Sequence, residues 1–408
     1  MRPFGLSGLA ALACLTFSSM AAFSVEAPVA KAGAVEVKAA VLRVDHKGLL
    51  PISRLDLPPD DLGFAGAVLA TEDNQTTGKF LGFDFETETL AVTPEEAPKA
   101  IADLRARGLD LIVLLANGDE TLALADAAGP EALVLNAGAR DDRLREEDCR
   151  ANVLHVAPTR SMLADGLMQF LMWKKWTRLY LIHGSHPEDA LLAEAYRHSA
   201  RKFGAKIVEE REFVDRGGAR ISDSGHVLVQ RQIPVFTQGA EDHDVVLAVD
   251  ESDVFAPYLP YHTWDPRPVV GSAGLRPVSW HAAMESWGAT QFQRRFERVA
   301  GRPMRQEDYQ VWLALRVIGE AASRTGKADP ASLRAYALSD AFELAAFKGQ
   351  KLTFRNWNGQ MRQPILLSDR TLTVSVSPQE GFLHQTNLLD TLGRDRPETS
   401  CTAFGETQ

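Results

Sequence analysis

Short, continuous apolar runs separated by helix-length stretches constrain this chain more than any other feature. Asp110 to Leu115 and Ala132 to Asn136 are two such runs. A strand open to water on one face alternates apolar and polar residues; these do not, so each reads as a strand covered on both faces. A helix from Glu120 separates them. Upstream, Val35 to Val44 is strand-like, and the loop Leu57-Pro58-Pro59-Asp60-Asp61 leads into a helix through Glu72 that Gly78 closes. Phe80 to Val92 again reads as strand. Thr93-Pro94-Glu95-Glu96 then starts a helix that ends at Gly108. Proline is suited to a first turn that lacks N–H partners, and acids suit the positive end of the helix dipole.

A second series of the same kind begins near residue 153. Val153 to Val156 reads as its first strand, and Thr159 caps a helix whose Leu163, Leu167, Phe170 and Leu171 share a face. Leu179 to Ile182, Ile207 to Phe213, Val245 to Val249 and Pro268 to Gly271 are further strands. Pro187-Glu188-Asp189 opens a helix with Leu192, Ala195, Tyr196 and Phe203 on its inner side, ended by Gly204. Strands alternating with helices of these lengths predict parallel sheets flanked by helices, an α/β class. Arg211 to Asp242 has little periodicity and reads as an irregular connection. Ala289 to Arg324 reads as one long amphipathic helix, and Phe347 to Leu367 returns to strand.

The N-terminus has the form of a secretory leader: Arg2, an apolar run from Phe4 to Phe17, then small residues that permit cleavage after Ala21. Residues 1–24 are assigned to that leader, and the mature protein is expected in the periplasm. The run is shorter than the ~20 apolar residues that span a bilayer. Ala11-Leu12-Ala13-Cys14 is a loose match to a lipid-attachment site, the alternative reading of the same segment. Of three cysteines, Cys14 leaves with the leader. Cys149 and Cys401 then form either one bridge in an oxidising compartment or two unpaired thiols; the bridge would give a polar tail its anchor. The formal net charge of −10, with both signs interspersed, argues against a nucleic-acid partner.

The order of elements resembles the type I periplasmic binding fold. More narrowly, it is similar to the branched-chain amino-acid type of substrate-binding protein that serves ABC transporters. Gly63-Phe64-Ala65-Gly66-Ala67 with Glu72-Asp73-Asn74 and Gly78 resembles that family's first helix and following turn. Ala116-Asn117-Gly118-Asp119-Glu120-Thr121 and Asn136-Ala137-Gly138-Ala139-Arg140 fall where the family has its first two ligand loops. Asp308-Tyr309 with Ala314 and Ala321 resembles its late helix, and Phe347-Lys348-Gly349 through Phe354 with Asn358-Gly359 its closing hairpin. Asp73 to Gly78, Gly184 to Asp189, Asp223 to Val227, Thr263 to Pro268 and Pro378 to Gln385 resemble a subgroup associated with PQQ-dependent alcohol dehydrogenase systems.

The resemblance implies two lobes joined by a multi-strand hinge. Lobe one takes residues 35–150 and about 278–345, lobe two 151–277 and about 346–385, and 386–408 are a tail. It implies a monomer that captures a small solute and delivers it to ABC permease subunits, with no cofactor. A periplasmic sensor on the same fold is the alternative. An enzyme ranks last: the mature chain has no Gly-x-Ser-x-Gly elbow, phosphate loop or dinucleotide fingerprint.

Ligands of such folds bind at the carboxyl ends of parallel strands. That places Asp45, Asn117, Asp119, Glu120, Asn136, Ala137 and Arg140 on lobe one. His183, Ser185, His186, Asp250, Glu251 and Ser272 stand opposite on lobe two. Helix-start N–H groups with Arg140 would suit an anion; the acids on both lobes would suit an amine or an oxygen-seeking cation. Asp119-Glu120 and Asp250-Glu251 read equally as helix caps. His183 and His186 have no second pair to complete a zinc site.

Overall fold

The computed structural model describes residues 34–47, 50–217 and 228–405. The leader, Cys14 and the Asp223–Val227 stretch lie outside them. The first lobe starts with β1 (Val35–Val44), α1 (Phe64–Leu81), β2 (Phe83–Val92), α2 (Ala97–Ala106), β3 (Leu111–Leu115), α3 (Gly118–Ala128), β4 (Leu133–Asn136) and β5 (Val153–His155). The five strands form one parallel sheet in the order β2-β1-β3-β4-β5. β3 and β4 are buried along their whole length, as their unbroken apolar runs require. β5 corrects the expected boundary: it pairs with β4, so Val153 closes the first sheet rather than opening the second. α1 also runs past Gly78 to Leu81 and ends on Gly82 in the left-handed region, φ 79°. Gly78 serves packing instead, because a Cβ there would lie 2.8 Å from the Phe85 ring.

The second lobe contains α4 (Arg160–Trp173), β6 (Arg178–Gly184), α5 (Pro187–Phe203), β7 (Lys206–Phe213), α6 (Val229–Thr237), β8 (Val245–Val249) and β9 (Val269–Gly271). Its strands are parallel in the order β7-β6-β8-β9. Thr159 caps α4 by accepting the Met162 N–H at 3.0 Å. α4 is buried on every side from Arg160 to Leu171, not on one face. It packs against α5 and against a small sheet between the lobes.

That small sheet is the hinge. It joins β10 (Arg276–Val278) to two later strands, after α7 (Ala289–Ala300), α8 (Gln306–Thr325), α9 (Pro330–Ala337), β11 (Leu344–Ala345), β12 (Lys351–Phe354) and β13 (Met361–Arg362). The later strands are β14 (Ile365–Ser368) and β15 (Thr373–Ser377), antiparallel in the order β10-β14-β15. Successive strand side chains point to opposite faces, and β14 uses both. Leu366 enters the first hydrophobic core, whereas Ile365 and Leu367 enter the core of the second lobe. Up to β15 the described main chain passes between the lobes three times, at 156–160, 271–276 and 362–365.

The long helix expected over 289–324 is two helices. Gly301, at φ 68°, and Pro303 break it. α8 then lies against α1 so closely that a Cβ on Gly66 would sit 2.0 Å from the Asp308 carbonyl oxygen. Buried Asp308 ties the joint. It accepts the Gly63 N–H at 2.8 Å, the Arg305 N–H at 2.9 Å and Arg302 at 2.7 and 2.9 Å. Leu352, Phe354 and Met361 of the β12–β13 hairpin join the first core. The hairpin therefore belongs with lobe one, although the sequence placed residues after 346 in lobe two. Nor is the tail loose: Leu389 and Leu392 are buried, Phe404 packs on the first core, and Cys149 and Cys401 are bridged. Among the described residues no helix is long and apolar enough to cross a membrane.

Candidate functional site

Both parallel sheets reverse strand order beside a central strand, between β1 and β3 in lobe one and between β6 and β8 in lobe two. Connections leaving two such strands depart to opposite faces and open a crevice at their carboxyl ends. The loops after β1, β3 and β4 and those after β6, β8 and β9 carry the residues singled out from sequence.

Most of those residues are engaged within the protein. Asn117 caps α3 by accepting the Glu120 N–H at 2.9 Å, and the Glu120 carboxylate returns to the Asn117 N–H at 3.2 Å. Glu120 also meets His46 Nε2 at 3.0 Å. Asp119 pairs with Arg143, which reaches Asp148 at 2.5 Å. Asp45 is held by Arg43 at 2.7 and 3.0 Å. Asn136 is buried beneath its own loop. Its side chain accepts the Gly138 and Ala139 N–H groups at 3.0 and 2.8 Å and lies 3.0 Å from His155 Nδ1. Ala137 extends the strand by donating its N–H to the Leu114 carbonyl at 2.9 Å.

Lobe two repeats the pattern. Glu251 takes two hydrogen bonds from Arg160, at 2.7 and 3.1 Å, and Arg160 lies 3.4 Å from Asp141 of the loop after β4. His186 meets Asp215 at 2.9 Å, and Ser185 Oγ accepts the Asp215 N–H at 3.0 Å. His183 meets the Gly184 carbonyl at 2.8 Å and Glu210 at 3.4 Å, so the two histidines face different acids. Ser272 Oγ accepts the Asp250 N–H at 2.9 Å. Among the described residues no cluster of three or more His, Cys, Asp or Glu could hold a metal ion.

Arg140 differs from the rest. It is half-buried at the carboxyl end of β4, and its carbonyl accepts the Arg160 N–H at 2.9 Å. Among the described residues its guanidinium has no hydrogen-bond or ion-pair partner.

Sequence reasoning missed several supports of this crevice. Buried Asp189 accepts the Glu251 and Ser252 N–H groups at 2.7 and 3.0 Å and the His186 N–H at 3.2 Å, fixing the loops after β6 and β8 to each other. Its place in Pro187-Glu188-Asp189 marked only a helix start. Ile52, in the loop after β1, packs on a lobe-two cluster that includes Phe255 and Leu259, and its N–H donates to Asp253 at 3.1 Å. No periodic pattern flags such a contact across the cleft.

Asp250 is a buried cap. Its carboxylate accepts N–H bonds from Val254, Phe255 and Ala256 at 2.7–2.9 Å. Burial outweighs these donors and pushes its carboxyl up to about 6, from an ordinary 3.8. A folded-state value above the unfolded one stabilises the fold below the lower value, and the contribution is lost as pH rises through the higher. Between pH 4 and 6 the wild type is expected to lose up to about 3 kcal/mol from this group. Asp250→Asn, which has no charge to bury, should flatten that part of the profile in urea titrations; parallel wild-type and variant profiles would contradict it.

Known proteins share this architecture. The periplasmic binding protein family matches residues 62–222. No curated protein matches the sequence. Among solved structures, a branched-chain amino-acid ABC transporter periplasmic ligand-binding protein from Burkholderia xenovorans superposes with a TM-score of 0.69 at 14% identity. That match covers 90% of this chain and 100% of the other. A solute-binding protein from R. palustris in complex with benzoate gives 0.62 at 13% identity, over 90% and 99% of the two chains. An ABC transporter substrate-binding protein from Desulfitobacterium hafniense in complex with Leu gives 0.64 at 16% identity, over 84% and 100%. With two helix-flanked parallel sheets, reversed strand orders facing one another and a three-pass hinge, the chain has the type I periplasmic-binding-protein fold.

Proposed function

We propose that this protein is the periplasmic solute-binding component of an ABC transporter, and that it captures a small anionic solute between its lobes. The observation that carries this reading is Arg140, whose guanidinium has no hydrogen-bond or ion-pair partner among the described residues, beside crevice loops whose acids mostly pair with arginines. Glu251, Asp119, Asp45 and Glu120 each face an arginine or histidine, so an amine or cation gains little there, whereas a carboxylate gains a charge-assisted pair. The structurally similar proteins bound to benzoate and to Leu hold carboxylate-bearing molecules. The protein acts by binding rather than catalysis: its crevice histidines and carboxylates are committed to caps and ion pairs.

The link to PQQ-dependent alcohol oxidation rests on the sequence resemblance. It makes the acid products of alcohol oxidation, and the quinone cofactor with its carboxylates, the first anions to test beside amino acids. A ligand that binds only the native state raises thermal stability by mass action. A melting screen of these anions, with alcohols, amines and calcium or lanthanide ions as contrasts, should give upward shifts only with carboxylates. Stabilisation by the amines or cations alone would refute the anion reading.

A further inference from the structure

We propose that residues 388–404 form a strap that joins the two lobes across the hinge, locked by the Cys149–Cys401 bridge, and that it limits how far the lobes can open.

The strap is held by both lobes. From lobe two, Lys202 donates to the Thr391 and Gly393 carbonyls at 3.1 and 2.7 Å. Asp165 of α4 accepts the Gly393 N–H at 2.8 Å, Gln169 reaches Thr391 at 3.1 Å, and Leu392 enters the lobe-two core. A Cβ on Gly393 would stand 2.7 Å from Met162, so the strap lies directly on α4. From lobe one, Arg355 and Arg362 of the β12–β13 hairpin hold Asp390 at 2.8 and 2.9 Å. Farther along, Glu146 accepts the Ser400 N–H at 2.7 Å, Cys401 is bonded to Cys149, and Phe404 lies under Arg334 of α9.

The physical consequence follows from connectivity. Three backbone passes make a hinge that can bend while each lobe stays intact. A fourth connection, held at 389–394 by Lys202 and Asp165 of lobe two and by Arg355 and Arg362 of lobe one, and covalently fixed to lobe one at 401, lets the lobes part only as far as these anchors allow. The bridge spans 252 residues of sequence, yet its mechanical effect acts on this short segment. Without it, the end at 398–404 keeps only non-covalent contacts and can open locally while the cores persist.

The test needs no ligand. The oxidised protein, the same protein under reductant, and a Cys149→Ser/Cys401→Ser variant are compared by amide hydrogen exchange and small-angle scattering. The expected result is about tenfold or faster exchange in 398–404 once the bridge is absent. Faster exchange at the hinge passes 156–160 and 362–365 and a larger radius of gyration should accompany it. If the variant fails to fold, the reduced wild-type protein supplies the same comparison. Two results would overturn the proposal: 398–404 staying equally protected without the bridge, or 398–404 released with hinge exchange and radius of gyration unchanged.

Discussion

Asp390→Ala is expected to destabilise the protein by about 3–5 kcal/mol, the cost of removing one partner from a buried ion pair. Asp390 is almost wholly buried and faces two arginines. Arg355 is 2% exposed, and burial already pulls its guanidinium below its ordinary value with Asp390 beside it. Removing the carboxylate leaves Arg355 with carbonyl partners only, those of Leu389, Leu392 and Arg394. Asp390→Asn keeps an acceptor while losing the charge, so it should fall between the alanine variant and the wild type. Equilibrium unfolding in urea measures both. A loss under 1 kcal/mol for the alanine variant, in the range of exposed pairs, would show that the cluster contributes little.

Arg140→Ala is expected to leave stability nearly unchanged while weakening capture of a carboxylate ligand by about 2–5 kcal/mol, roughly 30-fold or more in Kd. The two effects separate because, among the described residues, this guanidinium has no hydrogen-bond or ion-pair partner to abandon. The neighbouring Arg160 should behave oppositely. It holds Glu251 and approaches Asp141, so its removal strands a half-buried acid and destabilises the fold. Isothermal titration with whichever anion raises the melting temperature, alongside urea unfolding, distinguishes the roles. Unchanged affinity in Arg140→Ala would remove Arg140 from the site.

Much of the fold was legible in the chain. The apolar runs at 111–115 and 245–249 became fully buried central strands, because a segment apolar on both faces has few other places to go. Thr159 capped its helix as read. The bridge between Cys149 and Cys401 was one of two options open in the sequence, and the structure forms it. Boundaries fared worse where packing decides. Gly78 looked like a helix end, yet its missing side chain makes room for Phe85 while α1 continues. Val153 has the composition of any buried strand; only pairing with β4 assigns it to the first sheet.

The candidate site shows the same division more sharply. Sequence order placed these loops at the carboxyl ends of their strands, where the structure has them, since strand polarity and connection order are encoded locally. It could not say which polar side chains face one another. Asp119 and Arg143, Arg160 and Glu251, and His186 and Asp215 are pairs separated by 24, 91 and 29 residues, and no spacing rule links partners at such distances. The sequence by itself determined two α/β series and the loops that end their strands, because hydrophobic periodicity and helix capping act over a few residues. Only the tertiary structure decided which charges remain uncompensated and which lobe holds the tail, because ion pairing and burial depend on segments brought together by folding.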